Sequence, residues 1–208
     1  MKKNALLGAI FVVAAFASCK KESDSTDNSS AAALFGSWKF IGMNAKTTAD
    51  LTVTSPATNE KLQTITTSQY TTSDNVGTMV FSADKIDSKG IGYTAYGTIN
   101  VTGYYNGAYD PDQSIDNMEF SQAVDPTTVS YAYQAVGSDS LYLSSGALVN
   151  VTDGTTTVGG GASGCKYTIK NDTLSIISRS NVNQNSTSSG ITYKALGTVY
   201  AEMKLVKE

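Results

Sequence analysis

The residues with the most suggestive chemistry are four carboxylates that lie close together in the chain. They are Asp110, Asp112, Asp116 and Glu119. Calcium takes oxygen ligands of this kind, but Ile115 occupies the glycine position of an EF-hand loop and Ser121 its closing glutamate position. We therefore expect a solvated turn in this stretch. Asp110, Asp112 and Asp116 form a weak candidate calcium site, and we expect no resident metal or cofactor.

Other reactive residue types are scarce. The chain has no histidine, which removes the usual general base near neutral pH and every triad built on that residue. Residues 159–164 match G-x-G-x-x-G, but a strand-like run follows them instead of the helix that would hold a pyrophosphate. The net charge of −3 disfavours binding to nucleic acid. We expect a protein that is not an enzyme.

The elements that position these side chains are predicted to be β-strands. From residue 31 onward the chain is rich in Thr, Ser, Tyr, Val and Ile, and glycine recurs between the apolar runs. Odd positions between 91 and 105 are mostly apolar and even positions are more polar, as in an antiparallel sheet with one face on the core. We expect a single antiparallel barrel of about eight to ten strands over residues 34–208, closed because closure removes exposed edges.

The first residues resemble the signal of a bacterial lipoprotein. Residues 1–3 carry positive charge, residues 5–15 are uncharged and mostly apolar, and small residues at 17–18 precede Cys19. The resemblance implies a signal peptide at 1–18 and lipidation of Cys19, with acyl chains such as palmitate holding the protein at a membrane. The alternative is an ordinary secreted protein with a chance cysteine near its cleavage site.

Two features bear on where such a protein resides. Residues 19–33 follow as a lipidated cysteine and a polar, flexible tether. Cys165 is the one other cysteine, so a lipidated Cys19 leaves no internal disulfide. Lys20 does not resemble the aspartate that retains lipoproteins in the inner membrane of enteric bacteria. We expect attachment to the outer membrane of the bacterial cell envelope, on its periplasmic face or its surface.

The start of the predicted domain resembles the lipocalins, and in particular the divergent lipocalin-like domains of bacterial lipoproteins. Gly36-Ser37-Trp38 matches the Gly-x-Trp at their first strand, and residues 167–174 match a Tyr-x-Ile…Asp-Thr-Leu hairpin. The resemblance implies a barrel whose base is sealed by an arginine packed on the tryptophan. Arg179, the only arginine, lies well before the last strand, so either Lys204 substitutes or the contact is absent.

Two functions follow from this interpretation. The first is a binding module, because an eight-stranded barrel can hold one small ligand, either apolar and lipid-like or a saccharide. The alternative is a structural lipoprotein with a solid core that docks an unknown protein partner through its outer surface. Exposed tyrosines would suit that second role. The candidate ligand contacts are Trp38, Phe81, Tyr93, Tyr131 and Tyr133, and the candidate docking residues are Tyr96, Tyr104, Tyr105 and Tyr109.

Overall fold

The computed structural model describes residues 28–144, 151–152, 157–158 and 163–208. It contains one short 3-10 helix, Asn28–Leu34, and ten β-strands. The strands are β1 (Gly36–Ser55), β2 (Glu60–Phe81), β3 (Lys85–Tyr105), β4 (Ala108–Val136), β5 (Ser140–Leu143), β6 (Val151–Thr152), β7 (Thr157–Val158), β8 (Ser163–Lys170), β9 (Thr173–Ser188) and β10 (Ile191–Lys207). The all-β prediction is confirmed.

Eight of the strands form one antiparallel sheet that closes into a ring. The order around the ring is β1-β10-β9-β8-β5-β4-β3-β2, and β6 pairs with β7 in a separate small sheet. Strands adjacent in the ring are joined by hairpin turns or by the β5–β8 connection, and β1 pairs with β10 to close the circuit. The strand count agrees with the sequence prediction. Within the described residues, no helix is long and apolar enough to cross a membrane.

The ring has two unlike ends. At the closed end lie the 3-10 helix, the short turns at 82–84, 137–139 and 171–172, and the C-terminus. The turns at 56–59, 106–107 and 189–190 lie at the opposite, open end. Each long strand runs between these two ends, so the position of a residue along its strand determines its distance from the closed end.

The strands of the ring differ greatly in length, so the ring extends much further toward the open end on one side than on the other. β4 has 29 residues, whereas β5 has four and β8 has eight. β4 pairs with β5 only over Tyr133–Val136, and β9 pairs with β8 only over Thr173–Ser178. Beyond those pairs, the six strands β9-β10-β1-β2-β3-β4 continue toward the open end as what we call the extended sheet. Its two edge segments, 108–132 and 179–188, each pair with one strand only, β3 and β10 respectively, and have no second strand partner among the described residues.

The closed end is sealed by a group of contacts around Trp38. The Trp38 indole Nε1 donates a hydrogen bond of 2.6 Å to the Leu34 carbonyl oxygen, which ties the strand to the helix. The Lys207 ammonium lies 4.4 Å from the centre of the Trp38 ring, within range of a cation–π contact. Lys207 therefore fills the place for which the sequence offered Lys204, and the prediction of Lys204 is wrong. Lys204 is instead paired with Glu202 at 3.7 Å.

The helix also shifts the predicted start of the folded domain. Ala31 and Leu34 have no exposed surface and belong to the core. The segment predicted as a flexible tether, 19–33, thus overlaps the 3-10 helix Asn28–Leu34. Burial of apolar surface explains the difference, since Ala31 and Leu34 pack into the core at the closed end, whereas Ala32 and Ala33 between them remain exposed.

Candidate functional site

The interior of the ring is the first candidate site, and its lower part is a packed core. All five candidate ligand contacts point inward and belong to one cluster of buried side chains. Their exposed fractions are Trp38 1%, Phe81 2%, Tyr93 7%, Tyr131 9% and Tyr133 3%. The structure therefore brings together all five residues that the sequence singled out.

Edge-to-face aromatic contacts organise this cluster. Phe81 and Tyr133 have ring centres 6.2 Å apart, and Phe40 and Tyr93 have ring centres 6.0 Å apart. The Tyr133 hydroxyl donates a 2.6 Å hydrogen bond to the Ser82 carbonyl oxygen at the closed end. Trp38, Phe81 and Tyr133 therefore form a layer at the closed end, which we call the floor. Tyr93 lies nearer to the open end.

Toward the open end, the inner face changes from buried to partly open. On β3, Ile99 is 9% exposed, and Val101 further along is half-buried. Their partners on β4, Met118 and Ile115, are 42% and 39% exposed. The inner face of the extended sheet is thus accessible above a solid floor, and it combines apolar side chains with hydroxyls such as those of Thr47 and Ser68, whose oxygens are hydrogen-bonded at 2.7 Å.

Sequence reasoning missed most of this upper inner face. Besides the β3 and β4 residues, it includes half-buried apolar side chains from the other tall strands. These are Leu51, Val53, Leu62, Val182 and Val199. The signal was present as alternation along β1 and β10, but the alternation does not show that these strands extend past the level at which the short strands β5 and β8 end.

Burial also changes the acid–base chemistry of the interior. It raises the pKa of the Cys165 thiol from 9.0 to about 12. It is likewise the main reason that the pKa of Tyr133 rises from 10.0 to about 12. Tyr93 and Tyr131 shift in the same direction for the same reason. These groups are neutral at physiological pH, which suits a dry interior and gives no activated nucleophile.

We predict that alkaline pH destabilises the fold through these groups. The folded state holds their protons more tightly than the unfolded state, so their stabilising effect is complete below about pH 9 and is lost toward about pH 12. Urea denaturation at pH 8, 10 and 11 measures the effect. The double variant Cys165→Ala with Tyr133→Phe should show a shallower decline than the parent, and an equally steep decline would contradict the assignment.

The predicted acidic site is not assembled. Asp110, Asp112 and Asp116 lie on β4, and the Asp110 carboxylate accepts a 3.0 Å hydrogen bond from the backbone N–H of Asp112. In the part of the chain that the structure describes, no group of three or more carboxylate, cysteine or histidine side chains could hold a metal ion. The carboxylates instead form an acidic stretch on the unpartnered edge of β4.

The predicted docking tyrosines divide between two places. Tyr104, Tyr105 and Tyr109 flank the turn between β3 and β4 at the open end, where Tyr105 is 42% and Tyr109 61% exposed. Tyr104 and Tyr109 are in edge-to-face contact with ring centres 6.3 Å apart. Tyr96, 46% exposed, lies nearer the middle of β3 on the outer face.

Several sequence predictions fall on residues outside the described part of the chain: the signal peptide at 1–18, lipidation of Cys19, the part of the tether before Asn28 and most of the glycine-rich run 159–164. No protein-family model, no curated protein and no solved structure matches this chain. Its function must therefore be inferred from its own geometry.

Proposed function

We propose that this protein is a non-enzymatic, lipid-anchored binding module of the bacterial cell envelope that holds a small apolar ligand. One observation carries the proposal. The ring is sealed at the closed end by Trp38 and the 3-10 helix, while its inner face, which carries apolar side chains interspersed with hydroxyls, continues past the floor toward the open end. A cup with one mouth and a partly exposed apolar lining is the usual form of a small-molecule site.

The architecture supports a lipocalin-like assignment. Lipocalins are up-and-down antiparallel barrels with an interior suited to one small ligand. Here the eight strands follow the same neighbour-to-neighbour order, and β1 begins at the predicted Gly36. The packing of Lys207 on Trp38 corresponds to the base contact that the resemblance implied. The ligand contacts then lie above the floor, with Tyr93 and Ile99 at the lower boundary.

The position of the anchor bears on access to the cup. A lipidated Cys19 would be joined to the body through the residues that precede Asn28, and the 3-10 helix places that junction at the closed end. The junction is therefore opposite the mouth, which leaves the mouth free to face away from the membrane that holds the protein, which we take to be the outer membrane. An apolar ligand would be received from the aqueous side.

A second candidate function rests on the tyrosines at the open end. Tyr105 and Tyr109 are exposed beside the turn at 106–107, and tyrosine is enriched in protein interfaces. In this case the protein is a structural or interaction lipoprotein, its interior is only a core, and a protein partner docks at the tip. Tyr109→Ala would then abolish partner capture and leave the interior unaffected.

Native mass spectrometry of the protein purified from its own host tests the leading proposal. We expect a mass that includes the acyl chains at Cys19 and, under gentle conditions, an additional apolar molecule released on denaturation. A cysteine without lipid would overturn the anchor. Protein that arrives empty and fails to bind the fluorescent fatty acid parinaric acid would overturn the ligand site.

A matched pair of variants places the ligand on the inner face. Val101 and Thr102 are adjacent on β3, and alternation along the strand directs them to opposite faces. Val101→Asp places a charge on the inner face and should weaken parinaric acid binding at least about tenfold. A loss of roughly 1.4 kcal/mol of binding free energy is enough for that factor. Thr102→Asp introduces the same charge on the outer face and should bind as the parent does. Equal affinities of all three proteins would contradict an interior site.

A further inference from the structure

The outer face of the sheet carries a groove that the interior site does not use. It has a volume of about 580 Å³ and crosses β10, β1, β2 and β3. Its lining residues are Asn44, Ala45, Lys46, Gln69, Tyr70, Thr71, Tyr96, Gly97, Thr98, Tyr200 and Glu202. The outer face of a closed sheet is normally convex, so a concavity here has a local cause.

We attribute the concavity to the close approach of the strands at Gly97 and to nearby register shifts. A β-carbon at Gly97 would stand 2.0 Å from the Gln69 carbonyl oxygen and 2.7 Å from the Tyr70 Cα, so only glycine fits. Toward the closed end from this level, the β1–β2 pairing shifts register between Lys39 and Asn44, and the β2–β3 pairing shifts between Ser73 and Val76. Irregularities of this kind bend a strand and change the local twist of a sheet.

Register arranges the outward side chains of the groove in two rows. One row is Glu202, Asn44, Thr71 and Tyr96, and the other is Tyr200, Lys46, Gln69 and Thr98. Each row crosses four neighbouring strands, so its two ends are about 14 Å apart at the usual strand spacing. A tyrosine therefore stands at each end of the groove, and hydroxyl and amide groups lie between.

The two tyrosines offer ring surfaces for contact. Tyr96 is 46% exposed. The Arg179 guanidinium carbon lies 5.4 Å from the centre of the Tyr200 ring, which restrains that ring from the side of β9. An aromatic ring held in this way presents an apolar face at little cost in side-chain entropy.

Charge and hydrogen bonding narrow the class of ligand. Lys46 and Glu202 are the charged lining residues and are of opposite sign, so nothing in the groove selects for a strongly charged ligand. The four strands are paired on both sides, so their backbone groups are engaged and cannot add a peptide strand. Recognition must come from side-chain amides, hydroxyls and aromatic faces.

We propose that this outer groove binds a short, uncharged oligosaccharide. Pyranose rings have an apolar C–H face that stacks on tyrosine, and their hydroxyls both donate to and accept from amide and hydroxyl groups. The span between Tyr96 and Tyr200 suits several linked sugars better than one. The site is separate from the interior because Lys46, Gln69 and Thr98 point away from it.

The test is an array of linear, uncharged oligosaccharides of glucose, galactose, mannose and N-acetylglucosamine. The probe is the full protein purified in a detergent without a sugar head group, and affinities for the retained glycan are measured by calorimetry. Tyr96→Ala and Gln69→Ala, both at exposed positions, should lower the affinity at least about tenfold. Tyr109→Ala, an exposed tyrosine outside the groove, is the matched control and should bind as the parent does.

Three outcomes would overturn the proposal. They are an array that retains no protein, a Tyr96→Ala variant with parental affinity, and a Tyr109→Ala variant that loses binding equally. The Val101→Asp variant separates this site from the interior one, because it should lose parinaric acid and keep the glycan. Melting curves of every variant establish that lost binding does not reflect unfolding.

Discussion

Replacement of Trp38 by alanine is expected to lower the free energy of unfolding by about 3–5 kcal/mol, the usual cost of deleting a large buried aromatic side chain. Trp38 is 1% exposed and lies among the largest buried side chains of the core. The substitution also removes the hydrogen bond from its Nε1 to the Leu34 carbonyl and the ring beneath Lys207. Domains of ordinary stability have about 5–15 kcal/mol in total, so this loss is a large share of the total.

Urea denaturation of the parent and of Trp38→Ala measures this loss directly. Lys207→Met is the informative companion, since it removes the cation and leaves the tryptophan packed. A cation–π contact at an exposed site is worth roughly 0.5–1 kcal/mol, so this variant should remain close to the parent. If Lys207→Met were as damaging as Trp38→Ala, the seal would depend on charge more than on packing, contrary to the burial seen.

Gly97→Ala is expected to destabilise the sheet strongly, because its added methyl group makes the shortest contact found at any described glycine of the sheet. Its β-carbon would meet the Gln69 carbonyl oxygen at 2.0 Å, and because the obstruction is backbone, no rotamer change relieves it. Overpacking of this kind costs about 1–3 kcal/mol, occasionally more. The strands β2 and β3 would have to separate, which would also flatten the outer groove.

Gly164→Ala is the matched control for this effect. Gly164 also lies in a strand, but the nearest atom to its added β-carbon is the Leu141 carbonyl oxygen at 3.9 Å, an ordinary contact. The melting temperature should fall by several degrees in Gly97→Ala and hardly change in Gly164→Ala. Equal effects in the two variants would show that helix or strand propensity, not close approach of the strands, sets the cost.

The features that could be predicted from sequence are those encoded within single strands and turns. Alternation between 91 and 105 assigned Ile91, Tyr93 and Ala95 to the buried face, and all three are buried. The Gly36-Ser37-Trp38 signal placed the start of β1 correctly. The five aromatic residues named as interior contacts do share one core, because an inward side chain remains inward wherever the strand is placed.

The remaining features depend on pairings between distant parts of the chain. Lys204 and Lys207 lie in the same strand, where alternation puts Lys207 on the face of Met203 and Leu205 and Lys204 on the opposite face, and the register of β10 against β1 then places Lys207 opposite Trp38. The mouth exists because β5 is short beside a long β4, a difference that neither strand shows alone. The groove combines side chains from four strands. Its concavity depends on the close approach of Gly97 to Gln69, and nothing in the sequence around Gly97 predicts that approach.

The unequal lengths of the strands around the ring have a consequence for the motion of the protein. Near the closed end every strand has two neighbours, and opening any amide there requires disruption of the core. At the open end, the segments 108–132 and 179–188 are each paired on one side only, and much of their surface is exposed. The free energy of local opening is therefore lowest at the open end. Opening should extend gradually along the sheet toward the closed end, so that the open end can fluctuate while the closed end stays folded.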